Sequence, residues 1–383
     1  MELNRRHALA AALASGAILP EGLAAMETRE LSVSAPAPFA AVAMQLTARS
    51  VERLRTRAEV TAQIKEQVAA ITPQIRAATI FIQQYGGAPV KLAVLPEYLF
   101  TSYPGRIGIS EFAELAAFDI DGPEYAAIAA MAMELKLFIA GNAYERNKNF
   151  PGIYFQASFV IAPDGQTVLR YRRLNSMFAP TPHDVWSKYL DIYGLDGVFP
   201  VARTEIGNLA AIASEEILYP EIARAHALRG AEIFVHSSSE IGSPMATPKM
   251  IAKRARAFEN LTYVISANTA GIVSTALPEA SADGNSMVVD WKGNVLAQSN
   301  SGETFTAFAD IDLAALRMAR RKPGMTNTLS RQRNALFAET YAADTHLHAD
   351  NLIENGVVKT PGRDHFKRVS EETITRLAKD GLI

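Results

Sequence analysis

The sequence predicts an α/β protein, and an α-β-β-α sandwich is the arrangement that fits it best. Apolar strands alternate with amphipathic helices along most of the chain. Two hairpins interrupt this alternation, with turns at residues 163–165 and 291–294, so a mixed sheet is expected rather than a wholly parallel one. Such a sheet needs helices over its outer face and a second layer over its inner face.

The elements of the first half follow from periodicity and from turn residues. Continuous apolar runs predict strands, and recurrence at three and four residues predicts helices. The predicted elements are a strand over 39–46, a helix over 51–84, a strand over 91–95, a helix over 124–135, and strands that start at 138 and cover 155–162 and 167–171. Gly86-Gly87 ends the long helix, and Pro73 leaves an interruption inside it open.

The second half repeats this pattern and ends in a different kind of segment. The predicted elements are a strand over 208–213, a helix from Pro220, a strand over 231–236, a helix over 249–260, and strands over 262–267, 286–290, 295–298 and 305–311. From Arg320 onward the chain becomes polar and irregular, apart from a helical pattern over 370–377. We expect residues 320–383 to form an extension that wraps a neighbouring subunit or the chain's own core.

Composition excludes several functional classes. The chain has 383 residues, a net charge of −2 and no basic stripe, so no nucleic-acid partner is expected. It has 0 cysteines, which excludes disulfides, cysteine-bound zinc and iron–sulfur clusters. A glycine-rich phosphate loop and a Gly-x-Ser-x-Gly elbow are also absent from the sequence. His346, His348 and Asp350 lie in the polar extension and are interpreted as solvated, so neither a metal nor a cofactor is expected.

Residues 1–25 have the order of an export signal. Arg5-Arg6 precedes a small-residue apolar run over 8–19, and residues 22–24 offer a small-x-small cleavage site. This order is typical of a twin-arginine signal, while the alternative is an alanine-rich helix that stays in place in a cytoplasmic protein. The run is too short to cross a bilayer, and no other stretch indicates a membrane span or a membrane partner.

Three segments place polar side chains where a buried strand ends, which is where α/β proteins place their sites. Glu97 follows a strand and a proline, which suits a general base, although acids at strand ends are often helix caps. Residues 168–174 end in consecutive cations, which are either a solvated edge or the source of one cation facing Glu97. Ser214 stands between a strand and a helix and is followed by Glu215 and Glu216. It is either a nucleophile or a serine that satisfies backbone groups.

Taken together, these segments resemble the nitrilase-like carbon–nitrogen hydrolase superfamily. That family has a Glu after a strand, a Tyr-Arg-Lys strand end, and a Gly-x6-Cys-x-Glu/Asp segment with Pro-Glu soon after. The corresponding residues here are Glu97-Tyr98, Tyr171-Arg172-Arg173, Gly207 through Ser214 to Glu216, and Pro220-Glu221. Later landmarks match at residues 223–233, 256–260, 267–268 and 284–290. The resemblance covers residues 39–316 and implies the α-β-β-α fold of that family.

The resemblance also implies site residues, with two departures. Ser214 stands where the family has its nucleophilic Cys, and Arg173 stands where it has its Lys. A serine hydroxyl is much harder to deprotonate than a thiol, and an arginine stays charged and does not shuttle a proton. Asp184 is the candidate for a further acid that many members carry after the Lys. The expected substrate-binding residues are Tyr98, Asp184, Glu215, Glu216, Ser237 and Glu240.

Three functions follow as hypotheses. The first is hydrolysis of a non-peptide C–N bond, most simply in a small amide, through Ser214 with Glu97 as base and Arg173 as oxyanion stabiliser. The second is a catalytically silent relative that binds a small amide or carboxylate, which the double departure favours. The third is acyl transfer to an amine. The resemblance further implies a homo-oligomer joined near residues 221–228.

Overall fold

Two six-stranded sheets form the centre of the fold. The computed structural model describes residues 35–240, 247–282, 284–343, 346–362 and 364–383, so the expected export signal lies outside the described residues. The strands are β1 Phe39–Gln45, β2 Thr47–Arg49, β3 Val90–Val94, β4 Phe138–Arg146, β5 Tyr154–Ile161, β6 Thr167–Arg172, β7 Ala202–Thr204, β8 Gly207–Ala213, β9 Ile233–Ser238, β10 Tyr263–Asn268, β11 Gly271–Val273, β12 Met287–Val289, β13 Val295–Gln298, β14 Thr304–Ile311, β15 Ile353–Glu354 and β16 Val357–Val358.

The two sheets share one topology. Their strand orders are β14-β1-β3-β4-β5-β6 and β13-β12-β10-β9-β8-β7. In the first sheet β1, β3 and β4 are parallel, and in the second β8, β9 and β10 are parallel, with antiparallel strands outside them. The carboxyl ends of β3, β8 and β9 therefore fall in the parallel centre of each sheet, where a crevice is expected.

Helices cover the outer face of each sheet. The helices are α1 Arg57–Gly86, α2 Ile109–Leu115, α3 Pro123–Leu135, α4 Trp186–Val198, α5 Pro220–Leu228, α6 Pro248–Asn260, α7 Leu313–Arg321, α8 Thr328–Arg331, α9 Ala335–Ala343 and α10 His365–Lys379. Apolar side chains of α1 and α3 share a core with the first sheet, and those of α5 and α6 share a core with the second. Since β1 contacts β10 and β5 contacts β8, the layers are α-β-β-α, as predicted.

Helix α1 differs from its predicted bounds at two points. It begins at Arg57 because Thr56 and Glu59 form a capping box, in which Glu59 Oε2 accepts the Thr56 N–H at 2.9 Å. It also continues through Pro73, where the sequence left an interruption open. Pro73 is exposed, and the neighbouring Thr72 hydroxyl bonds to the Val68 carbonyl at 2.7 Å. The buried isoleucines along the helix each contribute about 1.5–3 kcal/mol, which offsets the cost of the proline.

Parts of the segment after Arg320 pack on the chain's own core, although helices α9 and α10 within it have no buried residues. Arg320 donates to the carbonyls of Leu261 at 2.9 Å and Ala231 at 2.6 Å. Further along, Leu352 is buried in a cluster with Phe150 and Tyr189. Short helices and the β15–β16 ribbon interrupt this extension, and the helical pattern at 370–377 lies within α10. Among the helices of the described residues, none is long and apolar enough to cross a membrane.

Candidate active site

Glu97 is held between the two sheets. It follows β3 through Leu95 and Pro96, and its side chain is 1% exposed. Its backbone N–H donates to Ser238 of β9 at 3.3 Å, and its carbonyl accepts from the Thr269 hydroxyl at 2.6 Å. Both partners belong to the second sheet side, so the carboxylate is fixed where the sheets meet.

One oxygen of the Glu97 carboxylate has partners and the other has none. Oε1 accepts from Gln156 Nε2 at 2.7 Å and lies 3.6 Å from Arg173 Nη1. Oε2 is buried and has no hydrogen-bond partner among the described residues. A buried carboxylate oxygen left in this state is costly, so it is suited to accept a proton or a donor from a bound molecule.

Arg173 joins Glu97 to the segment around Ser214. Its Nη1 donates to Gln156 Oε1, its Nη2 forms an ion pair with Glu215, and its Nε donates to the Asn175 carbonyl at 2.6 Å. Burial alone lowers the pKa of Arg173, but Glu215 and then Glu97 raise it above the ordinary value for arginine. The guanidinium is therefore a fixed positive charge. Of its five N–H groups, these contacts account for three.

Ser214 occupies a strained elbow. Its φ is +50°, a left-handed conformation that serine rarely adopts, at the point where β8 turns into the 3₁₀ helix Ser214–Leu218. His236 Nε2 lies 2.8 Å from the Ser214 carbonyl, and His236 Nδ1 lies 2.8 Å from the Ser266 hydroxyl. Burial lowers the pKa of His236 to about 3, so the ring is neutral. Because a carbonyl only accepts, Nε2 carries the proton and holds the elbow in place.

Glu216 fixes the elbow from the other side. Its Oε1 accepts from the backbone N–H groups of Leu174 at 2.6 Å and Asn175 at 3.0 Å. Its Oε2 accepts from the Tyr171 hydroxyl at 2.7 Å and the Ala213 N–H at 3.3 Å. These four bonds tie the residues on either side of Ser214 to the residues on either side of Arg173. Glu216 is 0% exposed, so its contacts are with the protein framework.

The other predicted substrate-binding residues divide into two groups. Tyr98 and Glu215 lie with the catalytic candidates: burial and then the Glu97 charge raise the pKa of Tyr98, and Glu215, at 29% exposed, pairs with Arg173. Ser237 donates to the Leu95 carbonyl at 2.7 Å and so joins the two sheets. Glu240 forms a buried ion pair with Lys253 at 2.8 Å.

The hydrogen bonds of the Asp184 side chain are to residues other than the catalytic candidates. Its Oδ2 accepts from the Thr181 N–H at 2.7 Å, and its Oδ1 accepts from Asn351 of the extension at 2.7 Å. Its contacts thus cap a 3₁₀ helix at Pro182–Val185 and anchor the extension. None of these contacts is with Glu97, Arg173 or Ser214, so they do not support the role that the resemblance implied for Asp184.

Lys249 is a site residue that the sequence did not reveal. It stands in the first turn of α6, and its Nζ donates to Ser214 Oγ at 3.2 Å, to Ser238 Oγ at 3.4 Å and to the Ser239 carbonyl at 2.7 Å. Gln156, which bonds to both Glu97 and Arg173, was also missed. The signal available for Lys249 was a lysine directly after the Thr247-Pro248 helix start, on a helix that follows a strand of the parallel centre.

No set of three or more His, Asp and Glu side chains suited to a metal is found among the residues that the structure describes. His346, a candidate in the extension, pairs with Asp380 at 3.1 Å. The polar groups around Ser214 and Glu97 include the fixed positive charge of Arg173, which repels a metal ion.

Comparison with known proteins agrees with this fold. The sequence model of the carbon–nitrogen hydrolase family matches residues 56–321. Formamidases of Bacillus thuringiensis (strain Al Hakam) and Bacillus cereus (strain AH820) are each 27% identical over 327 residues, which is 84% of this chain and 89% of theirs.

Two solved structures share the fold at low sequence identity. A carbon–nitrogen hydrolase from Helicobacter pylori G27 superposes with a TM-score of 0.58 at 20% identity, covering 80% of this chain and 99% of that one. An amidase from Nesterenkonia sp. superposes with a TM-score of 0.51 at 18% identity, covering 80% and 97%. Since the family model matches well over half of the sequence, the chain belongs to the carbon–nitrogen hydrolase family.

Proposed function

We propose that the protein hydrolyses the C–N bond of a small non-peptide amide, with Ser214 as nucleophile, Glu97 as base and Arg173 as oxyanion stabiliser. The observation that carries this proposal is the linkage of the three residues. Arg173 lies 3.6 Å from Glu97 and pairs with Glu215, the residue next to Ser214. A nucleophile, a carboxylate with an unpaired oxygen and a fixed positive charge are the groups that acyl transfer needs.

The reaction proceeds in two steps. Ser214 Oγ attacks the amide carbonyl carbon, its proton passes to a base, and the C–N bond breaks as ammonia leaves with a proton. Water then attacks the acyl-Ser214 ester while Glu97 Oε2 accepts a proton from it. That proton passes to Ser214 Oγ as the ester C–O bond breaks, which releases the carboxylic acid and restores the serine. In both tetrahedral intermediates, the N–H groups of Arg173 that the framework does not use stabilise the negative oxygen.

The proposed substrate class rests on two supports. The curated relatives are formamidases, and formamide is the smallest carboxamide. In addition, Ser214 is 5% exposed and Glu97 is 1% exposed, so both reacting groups lie below the surface. A small amide reaches such groups more readily than a polypeptide does.

Ammonia release from a panel of small amides tests this function. Purified protein is incubated with formamide, acetamide, propionamide and benzamide, and ammonia is measured by a coupled assay, with Ser214→Ala as the control. We expect release with the smallest amides and none from the control. Hydroxamate formed with added hydroxylamine at the expense of acid indicates acyl transfer to an amine. A protein that binds amides but releases no ammonia from any of them is a silent relative, and this result would refute the proposal.

A further inference from the structure

Lys249 touches the reacting atom of the proposed nucleophile. Its Nζ is 3.2 Å from Ser214 Oγ, within hydrogen-bond reach. The same pair of atoms forms a hydrogen bond whether the proton is on the amine or on the hydroxyl, since each group both donates and accepts when the amine is neutral. Lys249 comes from the first turn of α6, so a helix places it rather than a loop.

The surroundings of Lys249 favour its neutral form. Burial lowers the pKa of Lys249 below the ordinary value for lysine, and the charges of Glu97 and Glu240 only partly offset this effect. Its hydrogen-bond partners, Ser214, Ser238 and Ser239, are all uncharged. Within the described part of the chain, none of the ion pairs includes Lys249, whereas the nearby Glu240 is paired with Lys253.

Charged and titratable groups face Lys249 from several elements. They are Glu97 after β3, Arg173 after β6, Glu215 beside Ser214, His236 on β9, Glu240 after β9, and Lys253 one turn further along α6. His236 is neutral because burial lowers its pKa to about 3. Burial and the charge of Arg173 lower the pKa of Lys249, the three carboxylates raise it, and the net direction is downward.

We propose that Lys249 is a catalytic residue that takes the proton from Ser214, so that the site works as a serine–lysine pair. This inference rests on the proposed function and deepens it. Neutral Lys249 Nζ accepts the Ser214 hydroxyl proton as the Oγ–C bond forms. The resulting ammonium then gives that proton to the leaving nitrogen as the C–N bond breaks, which returns Lys249 to its neutral form.

The pair divides the two steps between two bases. An amine is a stronger base than a carboxylate by about six pKa units, so it is the better match for a serine hydroxyl. Glu97 then serves the second step, in which it accepts a proton from water with its unpaired Oε2. This division also accounts for Arg173, which holds charge without needing to move a proton.

Sulfonylation of Ser214 measures its activation without any amide substrate. Phenylmethanesulfonyl fluoride forms an O–S bond with the serine and loses fluoride, while the serine proton goes to a base. The rate of labelling is followed by intact mass, and the site is assigned by peptide mapping. The variants are Lys249→Met, Lys249→Arg, Lys249→Ala and Ser214→Ala. The matched control is Lys292→Met, which makes the same change at an exposed lysine beside Trp291.

We expect labelling of Ser214 in the wild type and in Lys292→Met, and none in Ser214→Ala. Lys249→Met and Lys249→Arg should both slow labelling by about 10²-fold or more, the effect of removing a general base. The wild-type rate should rise with pH and level off below the usual titration range of lysine, and the Lys249→Met rate should lack that rise. Labelling of Lys249→Ala should recover with added ethylamine. The pH dependence of the wild-type labelling rate tests the same inference without relying on the folding of any variant.

Two results would overturn the inference. Wild-type labelling rates in Lys249→Arg would mean that only a positive charge is needed, and an unlabelled wild type would mean that Ser214 is not activated. The proposed function fails separately. If labelling depends on Lys249 but no amide releases ammonia, the serine–lysine pair stands and the amidase function is refuted. If amide hydrolysis survives Lys249→Met, the amidase function stands and the serine–lysine pair is refuted.

Discussion

Glu216→Gln is the substitution that tests the framework of the site most sharply. The Glu216 carboxylate accepts four donors: the N–H groups of Leu174, Asn175 and Ala213, and the Tyr171 hydroxyl. Glutamine has the same shape but replaces one oxygen by an NH2 group, which only donates. In either orientation of the amide, the NH2 group therefore faces two groups that donated hydrogen bonds to the Glu216 carboxylate.

The cost follows from the better of the two orientations. With its NH2 group toward Tyr171, the amide keeps its oxygen on Leu174 and Asn175, and the tyrosine hydroxyl rotates to accept. The Ala213 N–H then loses its partner, which costs about 1–3 kcal/mol for a buried group. The remaining bonds also lose their assistance from charge. We expect a loss of about 2–4 kcal/mol in the free energy of unfolding.

Urea unfolding at about pH 8 measures this loss. This pH is chosen because burial raises the pKa of Glu216 to about 7, and the carboxylate is largely ionised above that value. Glu215→Gln is the matched control. Its carboxylate is 29% exposed, and glutamine still accepts from Arg173 with its oxygen, so a smaller loss is expected. A Glu216→Gln protein within about 0.5 kcal/mol of the wild type would refute the reasoning.

Ser214→Cys should retain amidase activity, because a thiolate forms more readily than an alkoxide, and kcat for acetamide checks this. If the wild type is silent, Ser214→Cys with Arg173→Lys should gain activity, and a silent double variant would show that the pocket itself is lost. Burial lowers the pKa of His226 to about 3, below its unfolded value, so the unfolded state binds more protons and stability is lost as pH falls from about 6.5 toward 3. His226→Phe should reduce that acid slope by up to about 1.4 kcal/mol per pH unit, and an unchanged slope in urea titrations would contradict this. Light scattering should show a dimer or larger assembly, since Leu218, Tyr219 and Leu228 near α5 are exposed apolar residues, whereas a stable monomer at micromolar concentration would contradict it.

The fold was largely predictable because its elements carry strong local patterns. The strands β1, β5 and β8 are continuous buried runs, and the predicted bounds of these strands and of β6 lie within one residue of those observed. The sequence did not predict helix α4. Gly194 inside it adopts φ +59°, which interrupts the helical geometry and with it the periodic pattern of apolar residues. The helix through Pro73 shows the opposite case, in which tertiary packing overrides a local breaker.

The site residues that directly follow strands could be predicted from the sequence. Those that are brought together only by tertiary packing could not. Glu97 and Ser214 each follow a strand of the parallel centre of a sheet, so position along the chain indicated them. Gln156 lies inside β5, and its sequence position indicates only an ordinary strand residue. In the structure it forms hydrogen bonds to both Glu97 and Arg173. Lys249 reads as a solvated lysine at a helix start, and only the packing of α6 against the elbow brings it to Ser214.

In the proposed reaction, Ser214 carries the acyl group of a small amide. Its most direct test is intact-mass measurement of the protein quenched within its first turnovers with acetamide or propionamide, followed by peptide mapping. We expect one added acyl group on Ser214, whose mass changes with the amide used and which is absent in Ser214→Ala. Steady release of ammonia by the wild type and by Ser214→Ala at the same rate, with no acylated protein, would contradict it and leave Glu97 acting on water directly.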